Sequence, residues 1–504
     1  FQPLARLHRF RAGVSALLLA AMALGAPSTL YAGDILRGGA SAKNADRNAQ
    51  ARANAGAEAA QSAKVSAQDR LARTTKAVND IRAFQAAARA AAGASTIPNG
   101  LADGGLKVLT GANAKWQGAN APVQSGNTVG ITQTASRALL HWETFNVGRD
   151  TTVNFDQSAG GADSGKWIAF NKVFDPAARP SEIRGKINAQ GQGYTINPYG
   201  IIFGAGYQIH TRTLVASTLP INDNLVNNGL LNNKDAQFLF TGLTVPGGSD
   251  GTPTFTPDPL PVGARYGDVI VERGAKISSP EGEGGNGGRV MLVGANVRNE
   301  GEISTPAGQT ILAAGLQVGV RAHSESDPSL RGLDVWVGSV GNYAGTVTNT
   351  GLVESQRGSI VAVGKEIQQN GVLESSTSVN LNGRIDLLAS YGAVMYPDYD
   401  KVSGTSFPPF LNQHTGIIRF ANGSNTRILP DYSSDKKIPG SKLAQSSQVN
   451  IEGLGIYFAG GSSLIATSGV IGIRAGIWPF VDSDGDGTIT IIATGSNEPG
   501  FSQQ

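Results

Sequence analysis

Cysteine is absent from all 504 residues. That excludes disulfides, thiolate metal sites and cysteine nucleophiles together, and it suits a chain exported across membranes unfolded. Charge is scarce as well, at 16% of residues against about 25% in an average protein. The net charge of +3 hides a split: residues 1–100 hold thirteen Lys/Arg against five Asp/Glu, and the rest hold 28 against 33. A basic front on a slightly acidic body lacks the broad basic face of a nucleic-acid binder, so no nucleic-acid partner is expected. Glycine is plentiful, with 67 residues, roughly twice the average share. No strict Gly-X-Y period accompanies it, which excludes collagen. The hydrophobic share of 40% still permits a continuous core. Many short elements punctuated by glycine point to β structure.

The front reads as a targeting signal. Arg6, His8, Arg9 and Arg11 precede the apolar run Val14–Gly25, and Leu30-Tyr31-Ala32 ends in a small residue. This order predicts a signal peptide over residues 1–32, cleaved after Ala32. The apolar run is shorter than the ~20 residues of a membrane-spanning helix. Residues 33–105 form an alanine-rich segment and linker. Within it, residues 41–92 lack proline and are dense in strong helix formers. Val65, Leu71, Val78, Ile81 and Phe84 make a thin apolar seam. The expectation is one or two long surface helices, acting as a spacer, a solenoid cap or a self-association surface.

Two block types then alternate. One is glycine followed by an aliphatic strand, as after Gly288, Gly308, Gly358 and Gly383; the other is a turn and short strand, as at Gly301, Gly351 and Gly371. The spacings Gly288–Gly308 and Gly351–Gly371 are both 20 residues. A recurrent unit of two strands and glycine turns is a solenoid signature. A leucine-rich repeat has that length, but its Leu/Asn consensus is missing. The fold class expected is all-β, a right-handed parallel β-helix. Ile303, Val353 and Leu373 should stack inside, with Glu302, Ser304, Leu352, Glu354, Val372 and Glu374 turned outward. Pro246–Pro261 and Tyr391–Phe410 should be loops leaving the coils. The division expected is a first β-helical domain with its cap at 106–240, a proline-rich loop at 241–266 and continuing coils at 267–504. No capping pattern follows Ile491, so the chain reads as the N-terminal piece of a longer protein.

A chained set of motifs lies in residues 106–240: Trp142-Glu-Thr-Phe145-Asn-Val-Gly148, Thr152-Val-Asn-Phe155, Ile183-Arg-Gly185-Lys-Ile187 and Asn197-Pro198-Tyr199-Gly200-Ile-Ile-Phe203-Gly204. In order and spacing these resemble the secretion domain of the filamentous haemagglutinin family, the exoproteins of two-partner secretion. Tyr199 stands where that family has a second Asn, and the nearest counterpart of its Asn-Pro-Asn-Leu motif is Asn222–Leu225. The resemblance implies a secreted or surface-exposed adhesin of a Gram-negative bacterium, exported through the periplasm. It implies as partner an outer-membrane barrel with POTRA-type domains, and leaves the host or cell-surface ligand unnamed. Asn197, Pro198, Tyr199 and Gly200 become candidates for transporter recognition. The same four residues also describe a type I β-turn and serve equally as a corner of the chain. Trp142, Phe145, Phe155 and Phe203 are expected to be core or cap aromatics.

Other chemistry is thinly supported. Gly282–Gly287 matches G-x-G-x-x-G, but a strand rather than a helix should follow, so no phosphate cradle forms. Asp482, Asp484 and Asp486 have the spacing of the early half of a calcium loop, with Ala493 where the closing Glu belongs. They are the candidate Ca²⁺ ligands; no other cofactor is expected. Glu354 and Glu374, one coil apart, are the best candidates for a polysaccharide-cleaving pair. No Lys, Arg or His is foreseen beside them, and the chain reads as a non-enzyme. The alternatives are a β-helical polysaccharide-active enzyme and a self-assembling surface protein.

Overall fold

The computed structural model describes residues 38–93, 95–206, 208–223, 225, 237–247, 254–282, 287–323, 331–395, 410–433, 446–477 and 490–494. The expected signal peptide lies outside them, as do Asp482, Asp484 and Asp486.

The chain winds into a parallel β-helix with three strands per coil. Arg289–Gly294 lies on what we call the front face, Val297–Asn299 on a short-strand face and Glu302–Ser304 on the back face. On the front face, Gln192, Thr213, Arg289, Gln309, Ser359, Arg384 and Gln448 follow one another in register. The 20-residue period is therefore one turn of the solenoid. The back face likewise stacks Ile303 on Val353 and Leu373, all three buried. Strands stacked in this way satisfy their backbone groups between neighbouring coils. Valine, isoleucine and leucine from all three faces fill one continuous interior.

The N-terminal end is closed by a reversal of direction. Leu106–Val108 and Trp116–Gln117 both pair antiparallel with Arg137–Phe145, the first front-face strand. Val123–Ser125 pairs antiparallel with Thr128–Thr132, the first back-face strand. Antiparallel pairing occupies an edge that a further parallel coil would otherwise have to cover.

Among the described residues, three excursions leave the coils at the corner between the front and short-strand faces. They follow Thr213–Ser217, Gln309–Ala314 and Arg384–Leu388. Two correspond to the loops expected from proline and tyrosine, although Val245 and Phe255 form an antiparallel bridge. The third was not foreseen: Gln317–Ala322 and Leu333–Val337 make an antiparallel hairpin. Together the excursions cover the outward side of the front face. Phe240, Val318, Val320 and Val335 bury Tyr194, Val215, Met291 and Ile311 in a second apolar cluster. Uninterrupted apolar runs such as Val290-Met291-Leu292-Val293 are explained by burial on both sides of the strand.

The alanine-rich segment is a single helix, α1, Gly38–Ala90. It caps neither end of the solenoid. Its C-terminal third lies along the back face, antiparallel to the order in which coils are added. Thr74 meets the coil of Asn425, Arg82 those of Glu354 and Glu374, and Gln85 and Arg89 those of Glu300 and Gly274. Fifteen helical residues from Thr74 to Arg89 rise about 22 Å. Four coil spacings amount to about 19 Å, so one helix residue row keeps step with the stack. Val78 is fully buried against Leu352 and Val372, with Ile81 beside them. Those two outward positions are therefore covered instead of solvated. Val65, Leu71 and Phe84, the rest of the seam, are exposed.

Candidate functional site

The Asn-Pro-Tyr-Gly corner links the front-face strand Gln192–Ile196 to the short strand Ile201–Phe203. Asn197 is fully buried. Its Oδ1 accepts the Tyr199 amide at 3.0 Å, and its Nδ2 donates to Ser181 Oγ at 3.0 Å and to the Arg179 carbonyl at 3.2 Å. Gly200 N–H donates to the Asn197 carbonyl at 3.2 Å, closing the turn. Gly200 has φ +131°, and a β-carbon there would stand 3.0 Å from Pro180, so glycine is required by both conformation and space. The Pro198 carbonyl accepts the Gly267 amide at 2.8 Å. Asn197 and Gly200 thus hold the corner. Pro198 and Tyr199, partly exposed, are the two members of the motif that reach the surface.

The aromatics form the inside of the closed end. Trp142, Phe145, Phe155 and Phe203 are all at most 2% exposed. Trp142 packs edge-on to Trp116 at 5.0 Å and to Phe145 at 5.2 Å. Its indole N–H donates to Asn171 Oδ1 at 3.0 Å, which satisfies the one polar atom of the ring. Asn171 in turn donates to the Tyr194 carbonyl at 3.1 Å. Next to Trp142, the His141 ring lies 4.7 Å from Phe174, and its Nδ1 stands 3.1 Å from the Asn113 carbonyl. Burial lowers the pKa of this histidine below its ordinary value, partly opposed by that carbonyl.

The paired carboxylates are not the unaccompanied pair expected. Glu354 and Glu374 do occupy neighbouring coils in register. Arg427 Nε donates to Glu374 Oε2 at 2.7 Å, and Arg82 from α1 reaches Glu354 at 3.1 Å and Glu374 at 3.7 Å. Arg427 also donates to the hydroxyls of Thr74 and Thr75 at 3.2 and 3.3 Å. Spacing within the β-helix could place the two acids together, but not their arginines, which lie 53 residues downstream and almost 300 upstream. The group is a seat for α1. Its carboxylates face arginines beneath a helix, unlike the open cleft that glycoside chemistry needs.

The glycine-rich stretch at 282–287 leads into the strand Arg289–Gly294, as a phosphate-binding loop does not. No helix among the described residues is long and apolar enough to cross a membrane.

The fold and site together are a capped parallel β-helix whose Asn-Pro-Tyr-Gly corner follows an aromatic first coil. The TPS secretion domain family matches residues 108–390, more than half of the chain, and the chain belongs to that family. It is similar to the heme/hemopexin-binding protein of Haemophilus influenzae strain Rd, at 25% identity over 304 residues, 60% of this chain and 29% of that protein. A second Haemophilus influenzae heme/hemopexin-binding protein is 32% identical over 117 residues, 22% of this chain and 12% of the relative. The chain thus spans less than a third of either relative's length. Among solved structures, the HMW1 secretion domain from Haemophilus influenzae matches at a TM-score of 0.47 and 18% identity, over 70% of this chain and 73% of that one. Membership implies export through a two-partner system with an outer-membrane transporter.

Proposed function

We propose that this chain belongs to a secreted or surface-exposed adhesin, and that its first coils engage the POTRA-type domains of its transporter in the periplasm. The carrying observation is the family match over residues 108–390. The described stack adds physical support: each new coil gains backbone pairing and interior contacts from the one before, so folding outside the cell would hold the chain there without nucleotide hydrolysis. In this reading the front segment 1–32 is removed on export, residues 106–240 are the secretion domain and the later coils are the exposed shaft. Within the corner, Tyr199 and Pro198 are the contact residues, while Asn197 and Gly200 keep them in place.

The test is secretion of the chain, with a signal peptide, in cells with and without a family-type barrel partner. Two variants separate recognition from folding. Asn197→Ala/Pro198→Ala removes the buried hydrogen bonds and the turn; Tyr199→Ala leaves both. Release that needs the partner, is abolished by the double change and falls several-fold in Tyr199→Ala supports the proposal. Release indifferent to the partner would sink it. Release that needs the partner but ignores Tyr199→Ala would reduce the corner to a fold element.

A further inference from the structure

A second feature lies at one margin of the front face, away from the corner motif and from α1. Successive coils place Arg289, Gln309, Ser359 and Arg384 in one column. They point outward, because the next residue along each strand, such as Val290 or Ile360, is fully buried in the interior. Three coil spacings put the two arginine backbones about 14 Å apart. Arg331, between the two hairpin strands and just before Leu333–Val337, reaches the column from the far end of that excursion. Together they line a cavity of about 340 Å³, whose walls include Gly308, Gly332 and Asn382. That volume falls at the small end of ligand pockets, roughly 300–1,000 Å³.

The charge balance of this cavity is unusual. Three guanidinium groups line it, and no carboxylate does among the described residues. Arg384 has a partner in Asp386, with Nε 2.7 Å from Oδ2. No ion pair is formed by Arg289 or Arg331 among the described residues. Among the described residues, Arg289 Nε donates to the Gln309 amide oxygen, at 3.4 Å. Arg331 donates to the carbonyls of Arg357 and Asn382 at 2.9 and 2.7 Å, and its Nε is buried without a hydrogen-bond partner. Desolvation lowers the pKa of both side chains. Holding two cations out of water with no counter-charge among the described residues is costly. Guanidinium groups in such surroundings match the planar pairs of oxygens on an oxyanion.

We propose that this cavity is a binding site for a small ligand bearing an oxyanion (a carboxylate, sulfate or phosphate group) held between Arg289 and Arg331. Gln309, Ser359 and Asn382 supply polar contacts to the rest of the ligand, towards Arg384. The site sits on the flank of the shaft and does not depend on the transporter reading.

Titration calorimetry on the purified chain at low ionic strength tests this, with sodium sulfate, inorganic phosphate and sodium acetate as probes against matched chloride. Saturable binding of at least one probe is expected, and the preferred probe identifies the oxyanion class. Arg289→Gln and Arg331→Gln should each weaken that binding tenfold or more. Arg474→Gln, an exposed residue paired with Glu452, should leave it unchanged. Melting without anion guards against misfolding: each cavity variant should melt at or above the parent temperature, because an uncompensated charge has gone. Overturning results are equally plain. One is binding retained in both cavity variants. The other is no saturable binding of any probe, either by the parent or by Glu325→Gln/Asp327→Asn, which strips the two carboxylates that most closely precede Arg331 in sequence.

Discussion

The closed N-terminal end and the seat of α1 lie on the same solenoid, yet different physics holds each of them. At the closed end, Trp142, Phe145, Phe155 and Phe203 are buried to within 2%, and the only polar groups admitted are paired ones such as Trp142 Nε1 with Asn171. At the seat, a small apolar contact of Val78 with Leu352 and Val372 is ringed by ions and amides. Glu354, Glu374 and Arg427, on three successive coils, form one group with Arg82, and Gln85 both accepts from Gly274 and donates to Glu300 further along. The first region should fail all at once when a side chain is removed. The second should loosen level by level.

The largest effect is expected at the closed end. Trp142→Ala opens a cavity beside Trp116 and Phe145 and leaves Asn171 Oδ1 without its donor. Such truncations cost about 3–5 kcal/mol. Denaturant unfolding followed by aromatic fluorescence and by circular dichroism should shift to a lower midpoint in both signals. A loss confined to fluorescence, with the circular dichroism midpoint unmoved, would contradict the view that the first coils set the stability of the stack.

A graded response is the prediction for the seat. Arg427 is 4% exposed in its side chain, and Glu374 is 15% exposed, so Arg427→Ala leaves a mostly buried carboxylate with the more distant Arg82 and should cost about 3 kcal/mol. Arg82 is 43% exposed, and Arg82→Ala should cost less than about 1 kcal/mol. Limited proteolysis of α1 reads both, since a released helix is cut. Equal sensitivity of the two variants would break the distinction between a buried and a screened ion pair. Because α1 runs against the direction of coil addition, its last turn finds Gly274 early, as Gly93 just beyond it finds Arg149, while Thr74 finds Asn425 and Arg427 only when that coil is in place.

How legible each region is in the sequence follows from the range of its contacts. The coils repeat at a fixed spacing, so Gly288 and Gly308, or Ile303, Val353 and Leu373, reveal one another by their periodicity, and those three interior positions could be named in advance. The aromatic end and the turn at Asn197 were legible because local chemistry dictates them: a proline-set corner and a hydrophobic strand. The seat was not. Leu352 and Val372 look solvent-facing by alternation alone, and nothing local to Glu354 announces Arg82. The hairpin Gln317–Ala322 with Leu333–Val337 was missed for a related reason: its valines continue the pattern of the coils they cover. Arg289 and Arg331 share a cavity only because a 30-residue excursion separates coils that stack directly.

The smallest and most selective perturbation is pH. His141 stands in the closed end, and burial holds its pKa below the ordinary histidine value of about 6.5. The folded chain therefore binds a proton less readily than the unfolded chain. By linkage, stability is fully present above the unfolded pKa and declines as pH falls from about 6.5 towards the lowered folded value. The seat contains no histidine among its described residues, so α1 should stay docked across that window. Unfolding midpoints should fall between pH 7 and 5.5, while protease resistance of α1 measured under native conditions stays level. His141→Gln keeps a polar side chain facing the Asn113 carbonyl and cannot titrate, so it should flatten the midpoint curve. A curve just as steep in that variant would move the titrating group elsewhere and remove the closed end's claim to be the acid-sensitive half of the molecule.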